Sequence, residues 1–200
     1  MTHGSKQSSK TTKNRTINAV RDFNFLEDDL PRLDNSLLNH YHHEAWKAYR
    51  DLPFPTLKDE PWRRTDIRKL RTAYFSLPEG IKEAKEPPTQ YLTPVIDGQE
   101  PAGHIVTGVI TPRFELSENL KKQGVVFKDF RTAEKENPDL LAELLGKVVS
   151  PEEDKFTALA AALGNDGVLL YVPKNVVIDQ PLHSLYWASG GDKAFFNHLV

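Results

Sequence analysis

Residues 165–200 alternate short β-rich runs with turn residues, and this alternation limits the available folds more than any other feature of the chain. Asn165-Asp166-Gly167 reads as a turn, and β runs follow at 168–172, 176–178, 182–187 and 194–200. Pro173-Lys174-Asn175, Asp179-Gln180-Pro181 and Ser189-Gly190-Gly191-Asp192 separate them. Proline at such spacing fits poorly inside central antiparallel strands. It suits the corners of a coil whose short strands stack on the next coil, as in a parallel β-helix. The edge of an antiparallel sandwich would give much the same string, so the pattern leaves both open. The ending Phe195, Phe196, Leu199 and Val200 reads as a strand in progress, which leads us to expect a polypeptide that continues.

Upstream, the punctuation is helical. Over 34–51, Leu37, Leu38, Tyr41, Ala45, Ala48, Tyr49 and Leu52 recur at three- and four-residue spacing and form one apolar stripe. Asp34 to Ser36 offer side-chain caps, and Pro53 and Pro55 end the helix. A second, shorter helix is expected over 65–74, with Ile67, Leu70 and Tyr74 on one face and Pro78-Glu79-Gly80 closing it. Residues 81–104 hold Pro87, Pro88, Pro94, Pro101 and Gly98 and read as an extended connector. Strands are expected at 105–110 and 124–130. Asn137, Pro138 and Gly146 then frame one helix, and Ser150, Pro151 and Gly164 a second. Ser150 and Glu153 have capping-box spacing, and Phe156, Leu159, Ala160 and Leu163 supply its buried face. The expected organisation is a disordered basic tail over 1–22, a helical N-terminal domain over 23–80 and the connector over 81–104. An α/β segment with two helices over 105–164 and the first rungs of a β-helix over 165–200 complete it.

Charge and composition remove several function classes. The longest apolar runs are about six residues, whereas a membrane-spanning helix needs roughly 20. The absence of cysteine excludes disulfides, thiolate metal sites and cysteine nucleophiles in this chain. The formal net charge is −2, but Lys6, Lys10, Lys13, Arg15 and Arg21 stand in the first 21 residues without an acid among them. The remainder has 21 basic against 28 acidic residues, a balance of −7. The tail is too polar to offset its ordering entropy and lacks the apolar core of a secretory signal. Its alternative reading is a nucleic-acid-binding arm, whose binding would fall steeply with salt.

The one metal-like cluster is His40-Tyr41-His42-His43-Glu44. On a helix His40 shares a face with His43 and Glu44, but the zinc-protease arrangement fails because Lys47 stands where its second histidine belongs. The plainer reading is a solvated polar face, with metal binding at His40, His42 and His43 left open. His104, His183 and His198 have no readable partner in the sequence. No phosphate-cradling loop or nucleophile elbow occurs, and Asp28-Asp29 and Glu152-Glu153 read as turn or cap residues. Trp46, Trp62 and Trp187 read as packing residues, not stacking platforms. No catalytic, cofactor-binding or metal residue is therefore assigned.

Two segments carry a family resemblance. Leu52-Pro53-Phe54-Pro55-Thr56-Leu57-Lys58-Asp59-Glu60-Pro61-Trp62-Arg63-Arg64-Thr65-Asp66 resembles the LP-x-P-x-x-K-x-E-x-W-R-x-T-D signature of the SufB/SufD family of iron–sulfur cluster assembly proteins. Asp154-Lys155-Phe156-Thr157-Ala158-Leu159, followed by Tyr171-Val172-Pro173-Lys174 and Val176, resembles the family's DKF-x-AL and YVPK-x-V stretch. Pro61 and Ala160-Ala161 depart from the family pattern, and the first segment favours the SufD branch. The resemblance implies a mixed α and β chain, with a helical N-terminal domain followed by the start of a right-handed parallel β-helix. It also implies a non-enzymatic, cytoplasmic scaffold. Its partners would be a SufB-like paralogue, met through the β-helix, and a SufC-like ABC ATPase, met through a C-terminal region beyond Val200. Iron and a transient Fe–S cluster would be handled by the complex, with no cofactor bound by this segment, no nucleic acid and no membrane. A SufB-type paralogue and a carbohydrate-acting β-helix enzyme are the alternatives.

Overall fold

The computed structural model describes residues 22–78, 86–92, 98–108, 110–188 and 191–200. The basic tail over 1–21, the turn at Glu79-Gly80, connector residues 81–85 and 93–97, Val109 and Ser189-Gly190 lie outside the described residues. The elements in chain order are α1 (Ser36–Asp51), α2 (Thr89–Leu92), β1 (Gly103–Gly108), β2 (Arg113–Leu116) and α3 (Glu118–Lys122). They continue with β3 (Val126–Asp129), α4 (Phe130–Glu136), α5 (Pro138–Leu144), α6 (Lys155–Leu163), β4 (Asp166–Tyr171), β5 (Leu182–Trp187) and β6 (Asn197–Leu199). Among the described residues no helix is long and apolar enough to cross a membrane.

The strands form two small open sheets, ordered β2-β1-β5 and β3-β4-β6. Each mixes both pairing senses. β1 runs antiparallel to β2 and parallel to β5, in register from Gly103 opposite Leu182 to Gly108 opposite Trp187. β4 runs antiparallel to β3 and parallel to β6, with Asp166 opposite Asn197 and Val168 opposite Leu199. The two sheets face each other across a core of Ile105, Leu116, Leu120, Val125, Phe127 and Val168. Each such side chain adds roughly 1.5–3 kcal/mol on burial. The buried Thr107 hydroxyl donates to Asp166 Oδ1 and ties the first sheet to the second.

α1 begins where the sequence places it, because the Asn35 side chain accepts from the backbone N–H groups of Leu37 and Leu38. Its buried face is rotated from the expected stripe. Leu38, His42, Ala45, Trp46 and Tyr49 are buried, while Leu37 is 59% exposed. These positions keep helical spacing only if a histidine is admitted to the stripe, which an apolar count passes over. α1 packs lengthwise on α6 around Phe25, Leu30, Trp46, Leu159 and Ala162. A third cluster joins Leu38 to Phe130, Leu141 and Leu169.

Several expected elements differ. No helix spans 65–74; a single 3₁₀ turn occupies Thr72–Tyr74. There the Asp66 carboxylate accepts from the Arg68 backbone N–H and guanidinium, so local side-chain bonding displaces the helical ladder. The last helix of the 105–164 segment starts at Lys155, not at Ser150, because Asp154 caps it in a box with Thr157. Ser150 and Glu153 still make part of their expected motif, the Ser150 N–H donating to Glu153 Oε1. Pro138 does open α5, but Asn137 turns its side chain to accept from Lys128 instead of capping. α3 and α4 were not expected; Ser117 and Asp129 cap them through side-chain oxygens. The run at 176–178 is not a strand, and Asp166-Gly167 lies within β4 instead of forming a turn.

Candidate functional site

The two signature segments meet in space. Trp62 Nε1 donates to Asp154 Oδ2 across 3.1 Å, and the indole stacks on Phe156 with ring centroids 5.1 Å apart. The other Asp154 oxygen accepts from the backbone N–H groups of Phe156 and Thr157 and so starts α6. Pro53 and Pro55 end α1 and carry the chain to Trp62, and Phe54 packs edge-on against Phe156 from the same side.

Lys155, 4% exposed, sits behind that contact. Its ammonium donates to the carbonyls of Tyr49 and Leu52 at 2.8 and 2.9 Å, which are orphan acceptors at the C-terminal end of α1. It also pairs with Asp22 at 3.0 Å and lies over the Tyr49 ring. At the opposite end His42 Nδ1–H donates to the Ala161 carbonyl in the last turn of α6, at 2.7 Å. The two antiparallel helices thus cap each other: a lysine of α6 closes α1, and a histidine of α1 closes α6.

His42 is therefore a buried structural group and not part of a solvated face, while His40 and His43 stay exposed on the other side of α1. That separation breaks up the His40, His42 and His43 cluster. His43 lies 3.5 Å from Glu27, and Glu44 pairs with Lys47. His42 is held below the ordinary histidine range by burial. His198 stacks on Phe130 at 5.1 Å and is pushed down to about 4 by burial, with neighbouring His42 adding to the effect.

The remaining two histidines among the described residues gain partners that the sequence did not reveal. His104 of β1 and His183 of β5 are register neighbours, and their Nδ1 atoms lie 2.8 Å apart. Among the described residues no three His, Asp or Glu side chains stand close enough together to enclose a metal ion. An open cleft of about 590 Å³ lies between Tyr41, Val148, Leu170 and Leu199. Its walls are mainly apolar, with Lys147, Thr157, Asn197 and His198 among the polar groups that line it. The arrangement joins the two signature segments through Trp62 and Asp154 and ties α1 to α6 at both ends.

The chain matches the family described as SufBD protein, N-terminal region, over residues 14–183. It is 32% identical over 160 residues to the iron–sulfur cluster assembly protein SufD of Bacillus subtilis, covering 78% of this chain and 36% of that protein. Over 71 residues it is 42% identical to SufB of the same organism, covering 36% of this chain and 15% of the relative. A SufBD family protein of Staphylococcus haemolyticus is 38% identical over 71 residues. The chain spans about a third of the length of the SufD relative.

Proposed function

The chain belongs to the SufB/SufD family of iron–sulfur cluster assembly proteins, and from that membership we propose that it acts as a SufD-like scaffold subunit in the cytoplasm, without a reaction of its own. The observation that carries this reading is the pair of parallel ladders, β1 with β5 and β4 with β6. Each joins a strand to one later in the chain, as successive coils of a right-handed β-helix would, and among the described residues β5 and β6 each stand at the edge of their sheet. Parallel edge strands of this kind suit strand-by-strand stacking and pairing with a related chain.

On this reading the partner across the β-helix is a SufB-like paralogue, and a SufC-like ABC ATPase completes the complex through a region outside these 200 residues. Iron and the nascent cluster are cargo of the assembly. A chain without cysteine supplies no thiolate to hold them. The SufD branch is supported by the breadth of the match, which runs over 78% of the chain for SufD and 36% for SufB.

Co-purification of the full chain with the SufB-like and SufC-like proteins of its own organism tests the proposal. Retention of the SufB-like protein is the expected result. A chain that is folded by circular dichroism yet retains neither partner overturns it.

A further inference from the structure

The outer face of the β2-β1-β5 sheet carries a pair of imidazoles with a carboxylate beside it. His183 and His104 are partners across the parallel ladder, and Glu115 of β2 is the partner of His104 on its other side. In-register partners project to the same face. That face is opposite to the one on which Ile105 and Gly103 meet the inter-sheet core. We propose that His104 and His183 form a two-imidazole clamp for a divalent first-row transition ion of the Cu²⁺ or Ni²⁺ type, with the Glu115 carboxylate beside it supplying negative charge.

The spacing is the first argument. Two nitrogens bound at about 2.0 Å to one ion, at a right angle, lie about 2.8 Å apart, whereas a tetrahedral ion holds them at about 3.3 Å. The observed Nδ1 to Nδ1 distance is 2.8 Å, with the ring planes only 17° apart. The clamp therefore matches ions that accept right-angle nitrogen pairs. Imidazole is a ligand type such ions take.

The unpartnered ring nitrogen is the second. His104 Nε2 is buried without a hydrogen-bond partner, so the metal-free pair is best served by an Nδ1–H on His104 donating to a bare Nδ1 on His183. Metal capture moves that proton to Nε2, with no net release, and a water must then satisfy it. The surrounding charge is favourable. The Glu115 carboxylate acts on His104, and Arg113, two residues along the same strand face, is held by Glu86 at 2.7 Å.

The test titrates the full chain with Cu²⁺ alone at pH 7.5, in a background carrying His3→Ala, His40→Ala and His43→Ala to remove the exposed and amino-terminal histidines. One equivalent is expected, with electron paramagnetic resonance showing coupling to two imidazole nitrogens. His104→Ala and His183→Ala should each weaken binding at least tenfold, and Glu115→Gln a few-fold. Unchanged affinity in folded His104→Ala and His183→Ala variants overturns the proposal. Should those variants not fold, substoichiometric Cu²⁺ added to the background chain must broaden the imidazole resonances of His104 and His183 before any other histidine. Broadening that spares them overturns it equally.

Discussion

Trp62 and Asp154, 92 residues apart, are joined by a 3.1 Å hydrogen bond from the indole Nε1 to Oδ2, while Oδ1 of the same carboxylate caps α6. One side chain thereby fixes both the entry to a helix and the position of the proline-bounded loop that follows α1. Asp154→Ala should cost about 2–3 kcal/mol, the loss of a cap and of an indole partner. Trp62→Phe keeps the stack on Phe156 and should cost about 1 kcal/mol. Urea denaturation of both single variants and the double variant checks this, with a coupling energy of at least ~0.5 kcal/mol expected because the residues touch.

Lys155 closes α1 from inside the core. Replacing it by methionine preserves much of its volume but leaves the Tyr49 and Leu52 carbonyls without their donor. A loss of about 2–4 kcal/mol is expected. Asp22→Asn, at the 66% exposed end of the same ion pair, should cost less than ~1 kcal/mol. Equal losses in the two variants would show that the ion pair, not the carbonyl cap, holds the junction.

The buried histidines make stability fall in acid. His198 titrates at about 4 in the folded chain and near 6.5 when unfolded, so between those values the unfolded chain binds the extra proton. Stability is whole above about pH 6.5 and declines as the pH falls toward 4, by up to about 3 kcal/mol from this residue. His42 shifts in the same direction and adds to the slope. Thermal denaturation of His198→Phe against the parent, from pH 7 to pH 4, should show a shallower decline in the variant.

Gly167 lies where β4 meets β6, at φ +136°. An added Cβ there would overlap the backbone of His198 on the neighbouring strand. Gly167→Ala should therefore break the β4–β6 ladder and cost ~2–4 kcal/mol. Hydrogen exchange at Val200 N–H, which donates to Val168, reports the break directly.

Much of the local architecture was legible before any coordinates. Asn35, Pro53 and Pro138 set helix ends where their chemistry requires, and 168–172 and 182–187 read as strands because their β-rich composition sits between turn residues. Three of the failures have a common cause. Asp66 bonding to Arg68, Asp154 outcompeting Ser150 as a cap and Asn137 turning to Lys128 are choices among polar groups of similar capacity, decided by which partner lies in reach.

The sequence by itself determined the kind of chain this is. It contains no cysteine and no apolar run of the roughly 20 residues a membrane-spanning helix needs, and its two signature segments appear in family order. Only the tertiary structure decided that those segments touch, that His42 is core, and that His104 and His183 face each other. Periodicity reports which face of a segment avoids water, and it does so from neighbours three or four residues away. Contacts such as Trp62 with Asp154, or β1 with β5, join residues about 80–90 positions apart, and their register is set by packing and backbone pairing that no local pattern encodes.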